Sequence, residues 1–211
     1  SLHNISIIKK LGLTNNCTVR VYKANQIIPQ IDSCLQDGDS DIKIPKYCSV
    51  CGGKTEVVKE NESEVLVCTN PNCSGKLLGR LKFFVSKPAL NIEGLSEATL
   101  EKFIAKGFIK TFSDMFHLDR YKDEIKQMEG FGEKSYVNLQ NSIENARTTT
   151  LPRLIYALGI SGIGLANAKV ICKEFHYDIE RMMELSEEEL SSISGIGPIL
   201  AKAYVEYFSK E

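Results

Sequence analysis

The 211-residue chain has little of several things that would narrow its function quickly. No apolar run approaches the roughly 20 residues that a bilayer-spanning helix requires, and Ser1 to Lys10 has neither the charged start nor the long apolar stretch of a secretory signal. A cytoplasmic protein with no membrane partner is the expectation. An excess of one charge is missing too: the formal net charge is −1. Duplex-binding surfaces are usually clearly basic, so the total charge gives no support to nucleic-acid binding. Residues 156–211 even lean acidic, with five Lys and Arg against nine Asp and Glu. Any contact with a polyanion there has to rest on backbone donors more than on cations.

What is present is enough hydrophobic material, 43%, to build real cores in one large domain or two ordinary ones. Residues 1–31 read as strands: Cys17–Tyr22 alternates and is β-branched, and Ile27-Ile28 is stopped by Pro29. Residues 32–46 are polar and acidic and read as a linker. Residues 47–80 hold a cysteine cluster around two short strand patterns, Thr55–Lys59 and Glu64–Cys68, with Asn61-Glu62-Ser63 as the turn. From Leu81 the apolar period becomes helical. Gly107 closes a helix that starts near Ser96, Ser186 with Glu189 forms a capping-box pattern, and Pro198 opens the final helix. The expected fold class is multidomain α and β, with a small β-domain and linker over 1–46, a cysteine module over 47–80 and an all-α region over 81–211.

Seven cysteines is an odd number, and four of them, Cys48, Cys51, Cys68 and Cys73, fall within 26 residues. Cys48-x2-Cys51 and Cys68-x4-Cys73 are separated by sixteen residues, so a hairpin can bring two thiolate knuckles together around a tetrahedral Zn²⁺. Four buried or disulfide-bonded cysteines are the competing reading. No His, Asp or Glu completes the set and no position is left open, so the zinc is structural. Cys17, Cys34 and Cys172 read as ordinary packed thiols.

The helical region repeats one short pattern four times: Glu93-Gly94-Leu95-Ser96, Glu129-Gly130-Phe131-Gly132, Ser161-Gly162-Ile163-Gly164 and Ser194-Gly195-Ile196-Gly197. A period of 32–36 residues marks a repeated helix, tight turn, helix unit, arranged here as two tandem pairs. The glycines permit turn dihedrals and close approach, and the apolar residue anchors the turn. The following helix then presents its first N–H groups, which can bind a phosphate. Lys134 and Ser135 stand where they can add a cation and a hydroxyl. Plain packing of a glycine-containing turn is the alternative for any one of these. The run Glu187-Glu188-Glu189 is a solvated helix start. Phe83, Phe84, Phe103 and Phe108 read as core, and His117 and His176 as structural or surface groups.

Further blocks carry a family resemblance. Leu2-His3-Asn4 and Val21–Pro29, the four cysteines, Phe84–Leu95 and Arg153–Ile160 together resemble the C-terminal half of bacterial NAD-dependent DNA ligases along essentially the whole chain. The resemblance implies part of an OB-fold domain, a four-cysteine zinc ribbon and a helix-hairpin-helix array that clamp nicked double-stranded DNA along its minor groove, for sealing in replication and repair. It implies DNA contacts at His3, Asn4, Lys23 and Lys87 and at the turn residues Gly94, Gly130, Gly132, Lys134, Ser135, Gly162, Gly164, Gly195 and Gly197. The family's Lys-x-Asp-Gly motif, whose lysine takes AMP from NAD, does not occur. Catalytic residues are therefore expected in a missing N-terminal nucleotidyl-transferase domain. NAD and Mg²⁺ would be used by the parent enzyme and not by this inactive portion. Nucleoid association follows from the same resemblance, and so does dimerisation through exposed edges of a truncated OB domain. Lys23 and Lys87 stand where the family usually has Arg, Asn25 where it has Gly, Phe83 where His is common, and Ser96 in place of the second glycine of the first turn. Hairpin one is thus the weakest case for a DNA contact. A self-sufficient DNA-structure-binding scaffold of a repair complex is the second reading. A third makes the hairpins packing only, with the zinc module binding another protein.

Overall fold

The computed structural model describes residues 2, 4–25, 27–60 and 63–209, and the chain divides into two units, Ser1–Gly75 and Lys76–Glu211. In the first unit, Asn4 takes extended backbone and its side-chain oxygen accepts from the Ile7 amide at 3.0 Å, opening helix α1 (Ile5–Lys10). The strands expected over the first residues are replaced there by this helix. Ile5 is buried, α1 packs on strand β6 (Ser63–Cys68), and Lys9 pairs with Glu64 at 2.6 Å.

Strand β2 (Thr18–Ala24) pairs antiparallel with β3 (Ile28–Gln36), from Thr18 opposite Gln36 to Ala24 opposite Ile28. Pro29 does not end a strand; it sits opposite Lys23 near the start of β3. The residues read as a linker over 32–46 continue β3 to Gln36, and β1 (Thr14–Asn15) then pairs with β4 (Ser40–Asp41). Asn25, at φ +50, holds the left-handed turn position, which glycine takes without strain and Asn tolerates. Val21, Tyr22, Ile27, Ile28 and Leu35 are exposed on this ribbon. The third hairpin joins β5 (Thr55–Glu60) to β6 in the expected register; Asn61 and Glu62 of its expected turn lie outside the described residues.

The second unit is helical. Helix α2 (Ser74–Val85) starts seven residues before the apolar period shows, because Gly75 and Gly79 dilute its first turns. There follow α3 (Glu97–Ala105), a 3-10 segment (Ser113–Tyr121), α4 (Lys122–Lys126), α5 (Glu133–Arg147), α6 (Leu151–Ala157), α7 (Leu165–Glu174), α8 (Ile179–Met183), α9 (Glu187–Ser191) and α10 (Pro198–Phe208). The Ser186–Glu189 capping box forms, and Gly107 takes φ +74 just past α3. Two apolar cores result. One gathers Leu81, Phe84, Leu100, Phe103, Leu139 and Ile143; the other gathers Ile155, Ile171, Leu190, Ile196 and Tyr204. Among the described residues no helix is long and apolar enough to cross a membrane.

Candidate nucleic-acid interface and metal centre

Each glycine turn sits between a core and solvent. Gly94, Gly130, Gly162 and Gly195 have φ of +92, +85, +75 and +89, values that side-chain-bearing residues rarely adopt. The residue that follows anchors the turn: Leu95 and the half-buried Phe131 in the first core, Ile163 and Ile196 in the second. In each core the first turn packs against the helix after the second turn. A methyl group at Gly94 would lie 3.5 Å from Leu139 of α5, and one at Gly162 would lie 2.4 Å from Leu200 of α10.

The last residue of each motif is the N-cap of the next helix, and here the four turns divide. At Ser96 the hydroxyl accepts from the Thr99 amide at 3.2 Å, so α3 is capped from within the chain. At Gly132, Gly164 and Gly197 the backbone is extended and no side chain caps α5, α7 or α10. A side chain added at any of the three would meet nothing within 4 Å. Neither backbone conformation nor internal packing demands glycine at these positions, and Ser, Asn or Asp would cap the helix better. The amides of Glu133, Lys134 and Ser135, and those of Leu165, Ala166 and Asn167, have no partner among the described residues. The fourth turn offers less: Pro198 has no N–H, and Leu200 donates to the Gly197 carbonyl at 3.0 Å, leaving Ile199.

Gly130, Gly132, Lys134, Ser135, Gly162, Gly195 and Gly197 are exposed, and Gly164 is half-buried. Lys126 holds Glu133 at 2.6 Å, which keeps that carboxylate partly neutralised beside Lys134. Lys87 is exposed in the loop before the first turn, where Arg153 of α6 donates to its carbonyl at 3.0 Å and to that of Ala89 at 2.8 Å. Lys23 is exposed on β2, while the Asn4 side chain is committed to capping α1. His3 lies outside the described residues.

The four clustered cysteines come together from three places: the turn before β5, the end of β6 and the turn before α2. Their sulfurs all lie within 4.8 Å of one another, with Cys48 to Cys73 at 3.9 Å and Cys51 to Cys68 at 3.5 Å. Four sulfurs about 2.3 Å from a tetrahedral zinc stand roughly 3.8 Å apart, so the donor set fits that ion. The knuckles are built by backbone bonds. Gly52 N–H donates to the Cys48 carbonyl at 2.9 Å, and Gly53 N–H donates to the Cys51 sulfur at 3.4 Å. That Gly53 amide, together with the Asn70 side chain, stabilises the Cys51 thiolate and brings its pKa to about 6, whereas desolvation pushes Cys68 up to about 11. Cys172 is buried as expected, but Cys17 and Cys34 are half-exposed neighbours on the β2–β3 ribbon. Desolvation first, then Cys17, raises the Cys34 thiol.

Sequence reading missed one polar feature. Between the first and second turns runs a trough of about 720 Å³ bounded by Gly94, Gly130 and one face of α5. Ser135, Asn138, Asn141, Ser142 and Asn145 line it, and their spacing of three and four along α5 was the available signal.

A helix-hairpin-helix motif model matches residues 153–211. Proteins named DNA ligase from Lachnoclostridium phytofermentans, Ruminiclostridium cellulolyticum and Thermosipho africanus are 52%, 49% and 40% identical to the chain over all of its length. The chain spans about a third of each of these relatives (32%). Whole-chain similarity of this order, joined to the motif match and to the paired turns, fits a C-terminal fragment of a bacterial DNA ligase.

Proposed function

We propose that this chain is the non-catalytic, DNA-binding portion of an NAD-dependent DNA ligase, and that it holds nicked duplex DNA for sealing. The observation that carries the reading is the set of helix N-termini without a side-chain cap after Gly132, Gly164 and Gly197, the first and last exposed and the middle one half-buried. A helix start presents several amide hydrogens and the positive end of the helix dipole, which suits a phosphate oxygen. Glycine at the N-cap lets a sugar-phosphate strand approach the backbone without meeting a side chain. Gly130, Gly162 and Gly195 shape the turns, Lys134 and Ser135 add a cation and a hydroxyl at the second, and Lys23 and Lys87 act as point charges. Such contacts position a protein on DNA without reading sequence.

The four cysteines hold a structural Zn²⁺ whose closed sulfur set leaves no site for catalysis. It fastens a two-stranded hairpin that would be marginal alone. The β2–β3 ribbon belongs to an OB domain, and the zinc module spans residues 47–80. Adenylyl transfer from NAD, with Mg²⁺, falls to a nucleotidyl-transferase domain of the parent protein.

Titrating a fluorescent nicked duplex with the zinc-loaded chain over a salt series tests the proposal. Binding that weakens with salt is expected, and Lys134→Glu should weaken it further. Absence of binding at low salt counts decisively against it.

A further inference from the structure

The trough beside α5 differs chemically from the turn amides. Of the side chains that line it, only Glu93 is charged; the rest of its polar surface is amide and hydroxyl. The side chains of Asn138, Asn141 and Asn145 are exposed and have no partner among the described residues. Small-molecule pockets are mostly apolar and enclose their ligand, and this trough is neither. One end lies at Gly130, beside the free amides that open α5. The other continues past Asn91 and Asn145, which it shares with a second depression of about 290 Å³ lined by Thr148, Thr149 and Thr150. From Ser135 to Asn145 the helix rises about 15 Å, the axial length of roughly four nucleotides in one strand of a duplex.

The opposite wall is the first turn, and it is fixed to α5. Glu93 N–H donates to the Ser142 hydroxyl at 2.7 Å, and that hydroxyl donates to the Asn91 carbonyl at 3.4 Å. With Ser96 capping α3 from within, this turn has lost the amide, that of Thr99, whose counterparts at Ser135 and Asn167 stay free at the second and third turns.

We propose that the trough seats one sugar-phosphate strand of the duplex: the strand enters from the phosphate site at Gly130–Ser135 and runs along the amides of Asn138, Asn141 and Asn145, with hairpin one as its outer wall. The inference rests on the DNA-binding reading and extends it to residues without charge. Asparagine amides donate to phosphate and sugar oxygens, and they release no counterions when they do.

The triple variant Asn138→Ala, Asn141→Ala, Asn145→Ala tests this. Alanine is the best helix former, so α5 should persist, which circular dichroism checks. Three lost hydrogen bonds, to sugar and phosphate oxygens, predict binding weaker by about tenfold or more to nicked and continuous duplex alike. The slope of affinity against salt should stay at its wild-type value, while Lys134→Glu should lower it by about one. Wild-type affinity in the triple variant overturns the seat and leaves the DNA-binding reading standing. So does a loss confined to particular base sequences, which would mean that the side chains read base edges. Failure of the unaltered chain to bind any duplex overturns both.

Discussion

Replacing Gly164 by serine should make the protein more stable and a poorer DNA binder at once. Gly164 has φ −77 and ψ 172, close to the φ −63 and ψ 165 at which Ser96 caps α3. Its Cβ would meet nothing within 4 Å, so the hydroxyl can turn back onto the α7 amides as Ser96 does on Thr99. A better cap contributes a few tenths of a kcal/mol, and the reduced freedom of the unfolded chain about as much again. The sum, about 0.5–1 kcal/mol, is a rise of roughly 2–4 °C in melting temperature for a unit of this size. The same hydroxyl takes an amide away from the phosphate, and the added atoms stand in the path of approach. One hydrogen bond to a charged group is worth about 1.5–3 kcal/mol, so affinity for a nicked duplex should fall about ten- to a hundredfold. Gly132→Ser should behave alike, and Gly197→Ser should cost less, because Pro198 and Leu200 already withhold two of that turn's donors. Ser96→Gly is the reciprocal case: a few tenths of a kcal/mol lost in stability and no loss of affinity. Thermal denaturation and fluorescence anisotropy read the two effects separately. If folded Gly164→Ser binds with wild-type affinity, the amides of α7 do not hold the phosphate and the reasoning fails.

Three other perturbations reach different parts of the chain. Stripping metal with a chelator should raise hydrogen exchange at Val57, Val58, Val65 and Leu66 of the β5–β6 hairpin and leave Ile171 in the second core protected; equal exchange in both states would remove the structural role of the ion. Tyr204 is 1% exposed, its hydroxyl has no partner among the described residues, and burial raises its pKa, so Tyr204→Phe should gain about 1 kcal/mol in urea denaturation; a less stable variant would show that the hydroxyl is bonded after all. Desolvation is the largest influence on the Asp114 carboxyl and raises its pKa, but the amides of Lys110 and Thr111 with the Thr111 hydroxyl outweigh it and hold the carboxyl below its ordinary value. A carboxyl lowered by folding stabilises above its unfolded pKa of about 3.9 and loses that contribution as pH falls through the folded value, so Asp114→Asn should be less stable at pH 7 and flatter in acid denaturation than the wild type.

The features legible in the sequence were those set by local chemistry. Two cysteine pairs flanking a hairpin pattern define a knuckle geometry before any packing is known, and the sulfurs do converge. Gly-apolar-Gly fixes a left-handed residue, an anchor and a helix start within three positions, and all four turns take that shape. Where long-range packing decided, the sequence reading failed. Ile5, Ile7 and Ile8 have strand character, yet the Asn4 cap and burial of Ile5 beside β6 make the segment helical. The β2–β3 ribbon is largely exposed, so no hydrophobic alternation marks Asp32–Gln36 as strand, and beside the acidic residues Asp37, Asp39 and Asp41 it resembles a linker. The α5 trough escaped notice because asparagine is a poor helix former; its meaning comes from the hairpin that lies against it.

The split among the four turns also bears on how a nearly neutral chain can hold a polyanion. A protein that neutralises phosphates with lysine and arginine gains affinity by releasing counterions and surrenders it as salt rises. In residues 156–211, where acidic groups outnumber basic ones, that route is poorly supplied, and two uncapped helix starts stand there instead. Peptide dipoles add no net charge, so they can face a phosphate without making the rest of the surface basic. The arrangement costs helix stability, because glycine at an N-cap leaves orphan amides that serine would satisfy. At Ser96 that cost is reduced, because the hydroxyl takes the Thr99 amide, and the same turn is tied through Ser142 to a face of neutral amides. On the proposed reading, one repeat keeps its fold while serving as a wall in place of a full phosphate seat, which a repeated array can do because each turn is anchored by its own apolar residue and not by its ligand.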